Sequence, residues 1–474
     1  MDSIAARARP GSKAGYRRSR RRCYDTDASL IQAEFHLKNS GNPGSEEPQI
    51  IPRAAHNVTR GEFSKSALKV LYRLHKAGYQ AFLVGGCVRD AMLELHPKDF
   101  DVATNATPDE VRALFGNCRL IGRRFRLAHV RFGREIIEVA TFRAAAVHVN
   151  DDSALDQEGR ILRDNVYGTI DEDVWRRDFT CNALYYNIAD FSIWDYAGGV
   201  QDVERRKLVL IGDPEVRLRE DPVRMLRAVR FAAKLDFTID PAVVEAMHHH
   251  ARLLSNVPAA RLFDEFLKLF QAGHAERTFD LLRQHGLFAE MFPATEKALT
   301  DDEAFMRFVR AALQNTDRRV AAGKSVTPMF LLAVFFWSPV VKLAAVRRSE
   351  EKMSESQSLS LASYEILAEQ QRRLSIPRRF TVPMREMLAL QPRFDQMRGK
   401  RAMKLLGHRR FRAAYDFMLL RSEVGQVDEQ VARFWTDVQT QPESERARSF
   451  QMQSQPDKKR RPRRRRRRKK TDSG

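Results

Sequence analysis

Cysteine is scarce and scattered. Cys23, Cys87, Cys118 and Cys181 lie far apart, with no C-x-x-C pair among them. That spacing disfavours a structural zinc site and a disulfide framework, and it fits a reducing compartment. Long uninterrupted apolar runs are also missing. The most apolar stretch, around 329–346, is broken by Ser338, Pro339 and Lys342 and reads as too short to cross a bilayer. The N-terminus lacks the apolar segment of a secretory signal, so the cytoplasm is the expected location. No internal repeat is visible.

Acids are nearly absent from both ends. Residues 1–22 hold eight Lys/Arg against Asp2, and residues 458–470 hold twelve Lys/Arg and no acid. Of the formal charge of +21, the two segments carry +7 and +12, which leaves +2 for everything else. Such runs repel themselves and bury no apolar surface, so both ends are expected to be disordered. The partner they fit best is a polyphosphate backbone, bound by counterion release without sequence preference. A bare solubility or localisation role is the alternative. With 43% apolar residues among 474, the remainder can build two to four domains.

Globular patterning begins near residue 61. Residues 64–77 predict a helix carrying Leu68, Leu71, Leu74 and His75 on one stripe, ended by Gly78. Ala81–Val84 predicts a strand running into Gly85-Gly86, with a short helix through Val88–Leu93. Phe100, Val102 and Thr104 alternate with Asp99, Asp101 and Ala103, a period-2 strand. Thr107-Pro108-Asp109-Glu110 is a capping box that starts a helix. Two strands, Ala128–Phe132 and Glu135–Phe142, flank a Gly133-Arg134 hairpin turn. This order predicts a mixed α/β domain, with the polar stretch 144–172 as a long loop. Beyond about 215 helical stripes such as Leu262, Phe266, Leu269 and Phe270 predict an all-helical remainder to about 440.

The chemistry concentrates around Lys98-Asp99-Phe100-Asp101. On a strand, Asp99 and Asp101 face one side, and paired carboxylates suit divalent cations such as Mg²⁺. An exposed strand edge with incidental acids is the bland reading. Gly85 and Gly86 allow phosphates to approach the backbone, or simply mark a turn. Arg89 reaches the same space as a phosphate fork or pairs with Asp90. Glu138, in phase with Ile136, Ala140 and Phe142, needs a partner: a metal, or an arginine of 123–126. Arg176, Arg177 and Asp178 could hold a triphosphate or form an ordinary ion-pair cluster. Asp221 reads as the cap of a helix with Pro222 first inside, and Arg224 and Arg227 share a face of it. His248-His249-His250 point in different directions and make a poor metal site. Phe330, Phe335, Phe336 and Trp337 read as core.

Leu83-Val84-Gly85-Gly86-Cys87-Val88-Arg89-Asp90, Asp99-Phe100-Asp101, Arg176-Arg177-Asp178, and Glu220-Asp221 with Arg224 and Arg227, taken in that order, resemble the class II CCA-adding enzyme and bacterial poly(A) polymerase family. The likeness is strong over 61–285 and weaker through Gly399-Lys400-Arg401 and Phe411–Asp416. It implies a polymerase-β-like α/β nucleotidyltransferase head at 61–205 and a helical neck with a nucleotide-recognition helix at 206–285. An RNA-binding helical body at 286–440 follows, with basic, disordered segments at 1–60 and 441–474. The implied activity is template-independent addition of AMP from ATP to RNA 3′ ends, on mRNA, small RNA and decay intermediates, promoting turnover. Asp99, Asp101 and Glu138 become the Mg²⁺ ligands. Gly86, Arg89 and Arg177 become triphosphate contacts beside Gly85. Asp178 acts directly or positions Arg177, and Asp221, Arg224 and Arg227 recognise the incoming base.

Lys98–Val102, Gly122–Val130 and Leu162–Asn165 are similar to the poly(A) branch of that family. CCA addition to tRNA is the alternative, because adenine and cytosine both present a donor–acceptor edge that one Asp/Arg set can match. A non-catalytic RNA-binding protein on the same fold is the third reading. Deleting 456–474 should weaken RNA affinity at low salt and flatten its salt slope by roughly 0.7 per lost phosphate contact. The KM for ATP should barely change, and an unchanged slope in a salt titration would sink the independent role of that segment.

Overall fold

The computed structural model of the chain describes residues 47–122, 126–144 and 166–451. The basic ends, most of the 144–172 loop, Arg123-Arg124-Phe125 and Leu162–Asn165 lie outside the described residues. An eight-stranded sheet forms the N-terminal part. Its strands are β1 Gln49–Ile51, β2 Ala81–Val84, β3 Asp101–Thr104, β4 Cys118–Ile121, β5 Leu127–Phe132, β6 Glu135–Thr141, β7 Leu184–Asn187 and β8 Ile193–Asp195, in the order β1-β8-β7-β2-β3-β6-β5-β4. β3 and β6 run parallel, and the other neighbours are antiparallel.

β2 sits at the centre and is buried on both faces. Leu83, with Val102, Val130, Ile137 and Val139, packs against the helix Lys65–Lys76 through Ala67, Val70, Leu71 and Leu74. Phe82, Val84, Ala103, Phe142 and Tyr185 cover the other face together with Val174 of the helix Ile170–Trp175. Alternation along each strand therefore divides the side chains between two cores. The capping box at Thr107 and Glu110 forms as expected. Gly133 takes φ +62° at the β5–β6 turn, which a side chain resists.

Several expectations need correction. Residues 47–60 are not a loose extension, since Gln49–Ile51 pairs with Ile193–Asp195 and closes one sheet edge. At the other end the tail begins later than expected. Glu443–Gln451 is helical and buries Phe450. His75 lies outside the buried stripe of its helix, which uses Ala67 and Val70 instead. Asp99 and Phe100 precede β3 rather than belonging to it.

Past the neck the chain is helical. The stretch around Pro339 is not broken: Pro328–Glu351 is one continuous helix with Pro339 inside it. Among the described residues it is the one helix long and apolar enough to cross a membrane by length and composition. Every residue from Leu331 to Val340 is nevertheless buried in the helical body, which makes it a core element. The ring of Phe335 meets those of Phe270, Phe288 and Phe292 at centroid distances of 5.3, 5.4 and 5.2 Å. Phe335→Ala removes the hub of that cluster and should cost ~3–5 kcal/mol of stability. Denaturant titration followed by helical circular dichroism measures it, and a loss below about 1 kcal/mol would contradict the role of that ring as a hub.

Candidate active site

Register places one row of side chains across the sheet. Trp194, Tyr185, Val84, Asp101, Glu138, His129 and Arg119 are successive cross-strand neighbours on β8, β7, β2, β3, β6, β5 and β4. Two carboxylates thus stand side by side in the middle of the row, an arrangement that costs stability unless offset. Asp101 is exposed along one side, yet desolvation by the groups packed around its carboxyl pushes it up to about 6; repulsion from Glu138 and Asp99 adds to the rise, and Arg177 opposes it. Glu138 turns to His129, whose Nε2 lies 3.2 Å from its Oε1. Of the alternative partners, Arg123 and Arg124 lie outside the described residues.

The face carrying Glu138 is the open one, with Ile136 exposed while Ile137 and Val139 fill the core behind it. No group of three or more His, Cys, Asp or Glu side chains among the described residues already forms a cage for a metal. Asp101 and Glu138 are adjacent, and Asp99 acts on Asp101 from the approach to the strand. The donor set fits a hard divalent cation, since all three are carboxylates whose mutual repulsion such an ion relieves.

Gly85 ends β2 with φ +75°, where L side chains are strained, and a Cβ there would sit 3.9 Å from Arg177 Nη1. The turn and Arg177 therefore share one space. Arg177 is anchored by Asp173 Oδ2 at 2.8 Å and by the Tyr185 hydroxyl at 2.7 Å. Arg89 points inward. It is 2% exposed, donates to Asp90 and to Asn182 Oδ1, and braces the turn from beneath. The expected pairing with Asp90 is present, whereas an open approach to phosphates is not.

Asp178 does not position Arg177. It accepts from Arg227 Nε at 2.6 Å and from Asn182 Nδ2 at 3.1 Å. Burial alone would raise its carboxyl, but Arg227, Asn182 and the Phe179 N–H outweigh this and hold it below the usual range. Asn182 thus joins Arg89 to Asp178, and Asp178 joins the sheet domain to the helix Val223–Leu235. Lys234 of that helix reaches back to Asp90 at 3.4 Å. Arg89, Arg227 and Arg230 all pack over the Phe231 ring, at 5.3, 5.3 and 4.9 Å.

The neck residues are close together but separately engaged. Asp221 caps the helix as expected, extended itself with Pro222 helical after it, its Oδ1 accepting from the Val223 N–H and its Oδ2 from Arg261. Arg224 Nη1 donates to the Arg217 carbonyl and to Glu220. Arg217 itself donates to the carbonyls of Arg176 and Arg177, fixing the backbone of that motif. Sequence reading missed Asn182, Tyr185, Asp173, Arg217, Phe231 and His129. Only Phe231, at helical spacing from Arg224 and Arg227, carried a sequence signal. The three histidines divide, two sharing one acid and the third turned elsewhere. His249 and His250 converge on the two oxygens of Glu215, at 2.8 and 2.5 Å, while His248 packs against His285.

Residues 81–209 match the poly A polymerase head domain, 236–299 the probable RNA and SrmB-binding site of polymerase A, and 351–470 the polymerase A arginine-rich C-terminus. Poly(A) polymerase I of Salmonella typhi is 50% identical over 397 residues, covering 82% of this chain and 85% of that protein. The Haemophilus influenzae enzyme of the same name is 43% identical over 422 residues, covering 88% and 93%. In three dimensions the fold resembles a CCA-adding enzyme in an apo form, with a TM-score of 0.55 at 18% identity over 80% and 83% of the two chains.

Desolvation at the carboxyl and crowding by Glu138 and Asp99 make Asp101 take a proton more readily than an isolated aspartate. In metal-free protein its titration, followed by NMR, should lie above the ordinary value and move down in Glu138→Gln. No movement on that substitution would contradict the crowding.

Proposed function

The chain belongs to the bacterial poly(A) polymerase family and adenylates RNA 3′ ends, and from that premise we propose how its geometry does so. Asp99, Asp101 and Glu138 would hold divalent cations, Mg²⁺ by preference, and a pair so held would supply activation of the attacking 3′-hydroxyl and neutralisation of the leaving pyrophosphate. The observation that carries this reading is the placement of Asp101 directly beside Glu138 on parallel strands. Few arrangements explain adjacent carboxylates on an open face so economically.

The chain's own groups orient ATP around those carboxylates. Arg177, fixed by Asp173 and Tyr185, offers its guanidinium at the Gly85-Gly86 turn, where a triphosphate meets backbone rather than side chain. Arg89 supports that turn and reaches phosphate only by exchanging Asp90 or Asn182 for it. Asp221, Arg224 and Arg227 present donors and an acceptor near the neck for the Watson–Crick edge of adenine. Arg227 is also tied to Asp178, so base recognition and the 176–178 motif are mechanically linked.

The helical body and the arginine-rich C-terminal segment hold the RNA, and tailing by such an enzyme marks transcripts for turnover. Cys87, Cys118 and Cys181 are free thiols, which suits a reducing cytoplasm. The decisive assay supplies Mg²⁺, labelled ATP or CTP, and two RNAs: an unstructured oligomer and a tRNA lacking its 3′ end. Long A tails on the oligomer, with ATP strongly preferred, are expected. Addition of two C and one A to the tRNA, then arrest, would establish CCA addition instead. Asp99→Asn and Asp101→Asn should each abolish addition while RNA binding stays nearly intact, and substantial activity in either variant would overturn the ligand assignment.

A further inference from the structure

Charge is far from evenly spread along the chain between its basic ends. Residues 372–412 hold thirteen Lys/Arg against Glu386 and Asp395, a net +11, so everything else outside 1–22 and 458–470 together carries −9. The helix Arg378–Ala389 presents Arg378, Val382 and Arg385 on one side at helical spacing, with Arg379 beside them. Arg378 and Arg379 are exposed, and neither has an acidic partner among the described residues. The one acid of that helix, Glu386, is taken up by Arg409 and by Arg410 at 3.0 Å, so it leaves its cationic neighbours unneutralised.

Against this face stands an exposed aromatic. Tyr364, on the helix Glu355–Gln370, is 58% exposed, and the Arg385 guanidinium lies 5.0 Å from its ring centroid. The two line a shallow depression of about 360 Å³ with Met353, Gln357, Ser360 and Leu361. That volume falls at the low end of ordinary ligand pockets, ~300–1,000 Å³. Arg385 Nε is buried and has no hydrogen-bond partner. An open ring, a stacked guanidinium, a small apolar recess and unpaired cations alongside are the ingredients of single-strand recognition.

We propose that this face of the helical body is a binding site for single-stranded RNA. A base stacks on Tyr364 in the recess, and the flanking phosphates meet Arg378, Arg379 and Arg385. Charge decides the occupant: three cations without acids beside them favour a polyanion over a protein segment. The site rests on the reading that this chain acts on RNA 3′ ends. It deepens that reading by locating RNA on the folded body, independent of the basic ends.

The test uses the full chain and a fluorescent oligo(A), with anisotropy as readout. Tyr364→Ala should weaken binding about tenfold, within the range for loss of one stacked base. Tyr364→Phe should bind within twofold of wild type, because the ring and not the hydroxyl does the stacking. The double variant Arg378→Ala/Arg379→Ala should reduce the log–log salt slope by about 1.4, while Tyr364→Ala leaves that slope unchanged. A blunt-ended duplex of equal length should not sense Tyr364→Ala. The KM for ATP should stay within twofold of wild type in every variant, because none of these residues touches the nucleotide site. Unaltered oligo(A) binding by Tyr364→Ala, or equal losses with Tyr364→Phe or on the duplex, would overturn the site. If wild-type protein binds oligo(A) through Tyr364 but adds no AMP, the proposed activity fails and the binding site stands.

Discussion

Two like charges held side by side organise this molecule. Parallel pairing of β3 with β6 sets Asp101 next to Glu138, and neither can move away without breaking the ladder that positions it. Relief must come from the flanks. On one side His129 meets Glu138 from the next strand. On the other, Arg177 is delivered to the same region by Tyr185, which lies one strand beyond Val84 in the same row. The sheet thus works as a ruler that spaces an anion pair between an imidazole and a guanidinium. In the proposed function a divalent cation would complete a balance that the protein leaves tilted toward negative charge.

Motifs made of consecutive residues are legible because the backbone alone dictates their geometry. Gly85-Gly86, the Thr107 capping box and the Gly133 turn all behave as their chemistry requires. The 99–101 pair is legible as chemistry but only partly as structure, since Asp99 lies ahead of the strand. Partners are not legible. Nothing local distinguishes Asn182 from any loop asparagine, yet it connects Arg89 to Asp178 across many residues of chain. In sequence His129 is one residue of an alternating strand, and its role appears only when register puts it opposite Glu138. Pro339 reads as an interruption because a proline deletes one helix hydrogen bond. Complete burial of the surrounding residues outweighs that loss and keeps the helix whole.

Net charge proves a poor summary for a related reason. The sum of +2 outside the basic ends conceals a +11 segment set against an excess of acids elsewhere. Many of the acids are spent inside the fold, as Asp173 is on Arg177, Asp178 on Arg227 and Glu386 on Arg409 and Arg410. What a polyanion meets is the unpaired remainder. Only the placement of each carboxylate, and not its number, says where that remainder lies.

The pairing of β1 with β8 has a temporal consequence. Gln49–Ile51 leaves the ribosome long before Ile193–Asp195, and until the later segment arrives the earlier one has no ladder to join. β3, β5 and β6 lie between them in sequence, so the carboxylate pair and His129 can assemble first. Arg177, and still later Arg227, must emerge before the centre acquires its cations and its brace on the neck. Vectorial synthesis therefore completes the row of acids before the neck helix that braces Asp178 has been made. A nascent chain stalled between residues 141 and 227 already holds the strands of Asp101 and Glu138 but lacks Arg227, the brace between Asp178 and the neck helix.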